Sequence, residues 1–240
     1  YIAPAYARPD AMPAPPLQMQ HPVALTYGDR EIELLGYTVG QQAVAPGENV
    51  RVTLYMQALQ PIDRDYSLFI HLWGRDMEWL GQRDSYPGRG SYPTSQWTPG
   101  NVIEDRYLVT VAPTATAPAR ILIEVGFYDF ASGRRLLAAP PTGERTDFPV
   151  IGRVKLASRA GAALSPQPYR YSFGDQANLL SARVETPPDV QAGSTITVVT
   201  TWQAVAAMAT DYTIFVHLLD QTPRVVAQND GEPQSGQYPT

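Results

Sequence analysis

An internal repeat constrains this chain more than any other feature of its sequence. Displaced by 146 residues, positions 28–94 align with 174–240 without a gap, and 20 of the 67 pairs are identical. The identities cluster. Gly47 matches Gly193, Gln57-Ala58 matches Gln203-Ala204, and Asp65-Tyr66-x-x-Phe69-x-His71-Leu72 matches Asp211-Tyr212-x-x-Phe215-x-His217-Leu218. Gln82-x-Asp84 matches Gln228-x-Asp230, and Tyr92-Pro93-Thr94 matches Tyr238-Pro239-Thr240. One common offset for so many motifs marks a tandem duplication, so whatever residues 28–94 fold into is built twice.

The repeated unit reads as β-structure. Val50, Val52, Leu54 and Met56 alternate with Arg51, Thr53, Tyr55 and Gln57, and Tyr66, Leu68, Ile70 and Leu72 alternate with Ser67, Phe69 and His71. A period of two places each set on one face of a strand. Further strands are expected over 32–39, 102–111, 121–127 and 134–137. Glycine and proline supply 41 of the 240 residues, concentrated in turn signals such as Pro46-Gly47, Pro87-Gly88, Pro99-Gly100 and Ser132-Gly133. No segment carries the period of an amphipathic helix. Seven or eight short strands in about 130 residues predict an all-β sandwich of Greek-key, jelly-roll or immunoglobulin-like type.

The organisation follows. Residues 1–22, with six prolines, read as a linker-like arm. Residues 23–152 form a complete module, 153–168 a linker, and 169–240 a second, truncated copy. The first copy continues past Thr94 through further strands, whereas the second stops at Thr240. An unfinished sandwich would leave strand edges unpaired. The expectation is therefore that the native chain continues, or that another segment supplies the strands. The start on Tyr1, with no signal peptide, reads as a processed or excised piece.

Composition narrows the function. With no cysteine, thiolate metal sites, disulfides and cysteine nucleophiles are excluded. A net charge of −5 argues against nucleic acid as a partner, and no apolar run is long enough to span a membrane, which leaves membrane association to a parent chain or complex. Nucleophile-elbow, zinc-helix and phosphate-loop motifs are missing, and no cofactor is expected. Asp63-Arg64-Asp65 has the form of a metal-binding D-x-D, but Ala209 replaces its first aspartate in the second copy. Glu104, Asp105 and Asp84 are available carboxylates for a hydrolase, with nothing in the sequence to pair them.

Two candidate clusters remain. His71 and His217 recur with Gln82, Asp84, Gln228 and Asp230. Such an imidazole could contact a ligand or transfer a proton. The preferred reading is structural: 66–73 and 79–84 pair as a hairpin, and Gln82 or Asp84 satisfies the ring from across it. Trp73, Trp79, Tyr86, Tyr92 and Trp97 form an aromatic group in the first copy, suited to stacking on sugar rings. Leu219, Val225 and Glu232 replace three of them in the second copy, which favours a core-filling role instead.

The motifs from Asp65 to Thr94, followed by Trp97-x-Pro99-Gly100, Asp105-x-Tyr107 and Gly126-x-Tyr128-Asp129, resemble the β-sandwich modules appended to bacterial membrane glycosyltransferases of the protein-mannosyltransferase-like family 39. The opening nine residues are similar to the stretch joining the membrane region to such a module. The resemblance covers nearly the whole chain and carries no catalytic residue. It implies a non-catalytic accessory region outside the cytoplasm, binding glycan or acceptor or positioning the enzyme. The alternative is a structural cell-surface subunit that assembles with other proteins, or with itself, through its sandwich edges.

Overall fold

The computed structural model describes residues 18–157, 168, 170–206, 208 and 210–237. The chain divides into two compact units between Ser158 and Arg159. In the first, the strands in chain order are β1 (His21–Tyr27), β2 (Ile32–Val39), β3 (Ala43–Val44), β4 (Asn49–Ala58), β5 (Tyr66–Trp73), β6 (Trp79–Ser85), β7 (Ile103–Thr110), β8 (Ala119–Asp129), β9 (Ala138–Ala139) and β10 (Val150–Leu156). They form two five-stranded sheets, ordered β7-β4-β2-β1-β9 and β3-β10-β8-β5-β6. Pairing is antiparallel except for the short β3–β10 contact.

The alternating residues make the sandwich. Val50, Val52, Leu54 and Met56 of one sheet and Leu68, Ile70, Leu72, Ile121, Ile123, Val125 and Phe127 of the other are buried in a single core. Each such side chain contributes roughly 1.5–3 kcal/mol by leaving water. The strands β5 and β8 lie inside their sheet and are buried on both faces, so Phe69, His71 and Glu124, which point away from the core, are also inaccessible.

Three expectations about boundaries are corrected. Residues 134–137 are not a strand: a turn closed by Gly133 N–H donating to Asp129 O at 2.8 Å precedes them, and only Arg135 bridges to Tyr128. The chain is crossing between sheets there, and the ladder resumes as β9 in the other one. Residues 153–156, read as linker, belong to β10 and pair with Leu122 to Ala119. The buried Val154 and Leu156 alternate there with Arg153 and Lys155, a strand period that the charges disguise. His21 and Pro22, read as arm, lie in β1, where the register shifts just after the proline. A bulge accommodates a residue that has no N–H to give the ladder.

The second unit contains β11 (Tyr171–Phe173), β12 (Ala177–Glu185), β13 (Thr197–Ala204), β14 (Ile214–Leu219) and β15 (Val225–Gly231). They form a three-stranded sheet β11-β12-β13 and a two-stranded sheet β14-β15. The order and pairings repeat those of β1, β2, β4, β5 and β6, so the duplication extends to the fold.

The ungapped alignment, however, fails over one strand. Leu34 lies opposite Met56 in β2–β4, whereas Leu179, not Leu180, lies opposite Trp202 in β12–β13. Four residues connect β1 to β2 but three connect β11 to β12. Eleven separate Val39 from Arg51, and twelve separate the corresponding Val184 from Thr197. Strand β12 has slid by one residue, which brings Leu34-Leu35 onto Leu179-Leu180 and keeps each side chain on its proper face.

Candidate functional site

Five of the candidates in the first unit, His71, Gln82, Asp84, Trp73 and Trp79, converge on the face of β5, β6 and β8 that points away from the core. Opposed residues in an antiparallel pair share a face. Phe69 lies opposite Asp84 and Gly126, and His71 lies opposite Gln82 and Glu124. A register shift between Leu72 and Trp73 then sets Trp79 opposite Trp73. Without that bulge, strict alternation would turn Trp79 toward the core; with it, Trp79, Gln82 and Asp84 face the same way.

At the centre is a charged network. Glu124, fully buried, accepts from Arg135 Nη1 at 2.7 Å and from Trp73 Nε1 at 2.8 Å. His71 Nδ1 lies 3.1 Å from Glu124 Oε2, and its Nε2 faces Asp84 Oδ1 at 3.4 Å, close enough for charge attraction but not aligned as a hydrogen bond. Arg135 also lies over the Phe69 ring at 4.5 Å, and Phe69 stacks on His71 at 4.5 Å between centroids. Burial disfavours the charged imidazole, but Asp84 and Glu124 outweigh it and raise the His71 pKa above its ordinary value. Burial likewise opposes the Glu124 carboxylate, while bonds from His71 and Trp73 and the charge of Arg135 bring its pKa below the usual range.

The hairpin pairing expected around His71 is present, but the ring is hydrogen-bonded from β8 by Glu124, and Asp84 supplies charge rather than the expected bond. Glu124 escaped the sequence reading because its partners lie 53, 51 and 11 residues away. One signal was present: a lone carboxylate inside the apolar run Ile121-Leu-Ile-Glu-Val-Gly-Phe127, which demands a buried counter-charge.

The aromatic group separates into two sets. Trp73 and Trp79 meet edge-to-face at 4.8 Å, and Trp79 leaves 45% of its surface exposed. Trp97 takes the preferred core-filling role and leaves the ligand-binding candidates: only 3% exposed, it packs edge-on to Phe127, and its Nε1 donates to Tyr92 O at 3.2 Å, whereas Trp79 departs from that role. Tyr92 packs against the same core, and Tyr86 is half-buried in the preceding loop. Trp97 and Tyr92 therefore do not extend the Trp73–Trp79 face.

Other motif residues clamp loops. Asp105 Oδ2 accepts from Gly88 N–H at 2.6 Å and from the Tyr107 hydroxyl, and burial beside that carboxylate raises the Tyr107 pKa. The Thr94 hydroxyl accepts from Tyr66 N–H at 2.9 Å and donates to Arg64 O at 2.6 Å. Glu104 is engaged by Arg106 at 2.6 Å. The three carboxylates weighed for a hydrolase therefore have three different partners. Among the described residues, no group of three or more metal-ligating side chains comes together.

In the second unit the hairpin is reproduced: Phe215 lies opposite Asp230, His217 opposite Gln228, and His217 Nε2 is 3.7 Å from Asp230 Oδ1. Tyr238-Pro239-Thr240 lies outside the described residues.

No family model and no curated protein matches the sequence. Among solved structures, the chain is similar to the Pseudomonas fluorescens alkylpurine DNA glycosylase AlkC bound to DNA containing an abasic site analog. The identity is 13% and the TM-score 0.33, over 54% of this chain and 31% of that one. The matched region thus spans less than a third of that enzyme.

Proposed function

We propose that this chain is a non-catalytic accessory region, outside the cytoplasm and beside a membrane glycosyltransferase, whose first module holds a glycan against the outward face of β5 and β6. The observation that carries this reading is the exposed Trp79, braced edge-to-face on Trp73 and sharing its face with Gln82 and Asp84. Sugar recognition needs a rigid apolar platform beside groups that donate to and accept from hydroxyls. Here the indole supplies the platform, the Gln82 amide both donates and accepts, and the Asp84 carboxylate accepts. The network beneath holds Trp73 through its Nε1, so the platform is set before a ligand arrives. The resemblance to glycosyltransferase-appended modules supports the setting.

The test is Trp79→Ala screened with the unaltered chain on an array of bacterial envelope glycans, with folding checked by circular dichroism. Trp79 is exposed, so the variant keeps its fold, and binding is expected to fall at least tenfold. Equal binding by both proteins, or no glycan held by the unaltered chain, would sink the reading.

A further inference from the structure

Among the described residues, the second unit repeats the β5–β6 hairpin of the first without its surroundings. Phe69 is 2% exposed and Leu80 is fully buried, whereas their counterparts Phe215 and Val226 are 69% and 56% exposed. In the first unit, β5 is paired on one edge by β6 and on the other by β8. Among the described residues, β14 is paired by β15 alone.

The register of the first unit specifies what suits that edge. In β8, Glu124 stands opposite His71, Gly126 opposite Phe69, and Ile123, Val125 and Phe127 point into the core opposite Leu72, Ile70 and Leu68. Gly126 is required there, because a Cβ at that position would come within 2.7 Å of Phe69 Cε1. Glu124 completes the charge around His71. The second unit keeps the matching half of each pair: Phe215 for the glycine, His217 for the carboxylate, and Ile214, Val216 and Leu218 for the apolar contacts. His217 has Asp230 on one side, with no second carboxylate at ion-pair distance among the described residues.

We propose that the open edge of β14 accepts one antiparallel strand of the β8 pattern, with a glutamate set opposite His217 and a glycine set opposite Phe215. Such a strand joins the ladder by main-chain hydrogen bonds, and the Glu-x-Gly spacing selects it from other extended segments. The proposal develops the assembly alternative raised by the sequence. It concerns a different unit from the glycan face and does not depend on it.

The experiment uses the full chain with a fluorescent peptide of residues 119–130, made soluble by a polyethylene glycol tail. Affinity is read by polarisation, and the strand engaged is read by amide exchange. The peptide is expected to slow exchange within 214–219. A Gly126→Val peptide should bind at least tenfold more weakly, and a Glu124→Gln peptide several-fold more weakly, a difference that disappears against a His217→Gln chain. Unchanged exchange in β14 overturns the proposal. So does equal binding by all three peptides, which would leave a general edge-pairing surface without the glutamate–glycine code. Concentration-dependent protection of β14 without peptide also overturns it, since a second copy would then occupy the edge.

Discussion

His71 works against its own burial: desolvation disfavours the charged imidazole, and two carboxylates favour it by more. The signs of the two shifts define a pH window. A group whose pKa is raised on folding stabilises fully below its unfolded value, about 6.5 for histidine, and loses that contribution as pH rises through the raised value. Glu124, lowered on folding, stabilises fully above about 4.3 and loses its contribution as pH falls through the lowered value. Both contributions are complete only between those limits. The difference in melting temperature between the unaltered chain and His71→Gln should therefore be widest near about pH 5.5 and narrow toward about pH 8. Thermal unfolding at a series of pH values checks this, and a constant difference would show that His71 contributes packing alone. Arg135 over Phe69 adds an attraction of roughly 0.5–2 kcal/mol that does not titrate in this range.

Among the elements, β7 fastens the loop that leads into it. Its Asp105 receives the Gly88 amide, so the turn after β6 is fastened to the opposite sheet. Asp105→Asn keeps the shape but removes the charge and disturbs the pairing with Tyr107. It should cost about 1–3 kcal/mol and speed exchange of the Gly88 amide, while amides in β8 keep their protection; an unchanged Gly88 rate would exclude the clamp. This contact also shows how far the sequence could be read. Alternation in 49–58 and 66–73 declared those strands, and Pro-Gly pairs declared the turns, because both signals are local. The strand at 150–156 hid behind alternating charges, and Glu124 could not be assigned partners, because only the strand order brings β8 beside β5. Trp97 and Trp79 are alike as letters. A bulge turns one outward, while the core takes the other.

The whole molecule joins a unit with a closed core to one whose described β14–β15 hairpin lies largely exposed. Unfolding should therefore occur in two steps, with the second unit melting first. Trp202 is the second unit's one tryptophan, against Trp73, Trp79 and Trp97 in the first. A denaturant titration followed by fluorescence should show an early transition that disappears in Trp202→Phe and a later one that remains. A single transition, unaltered by that substitution, would show that the units unfold together. The displaced β12 has a consequence for anyone recombining these units. A strand that advances by one residue keeps its inner and outer sides only because the turn before it is one shorter and the connection after it one longer. Those two junctions are a matched set, like the two ends of a slide rule. Exchanging 32–39 for 177–184 preserves the lining of the sandwich, whereas exchanging 32–39 for 178–185, the segment at the constant offset of 146, turns the strand inside out.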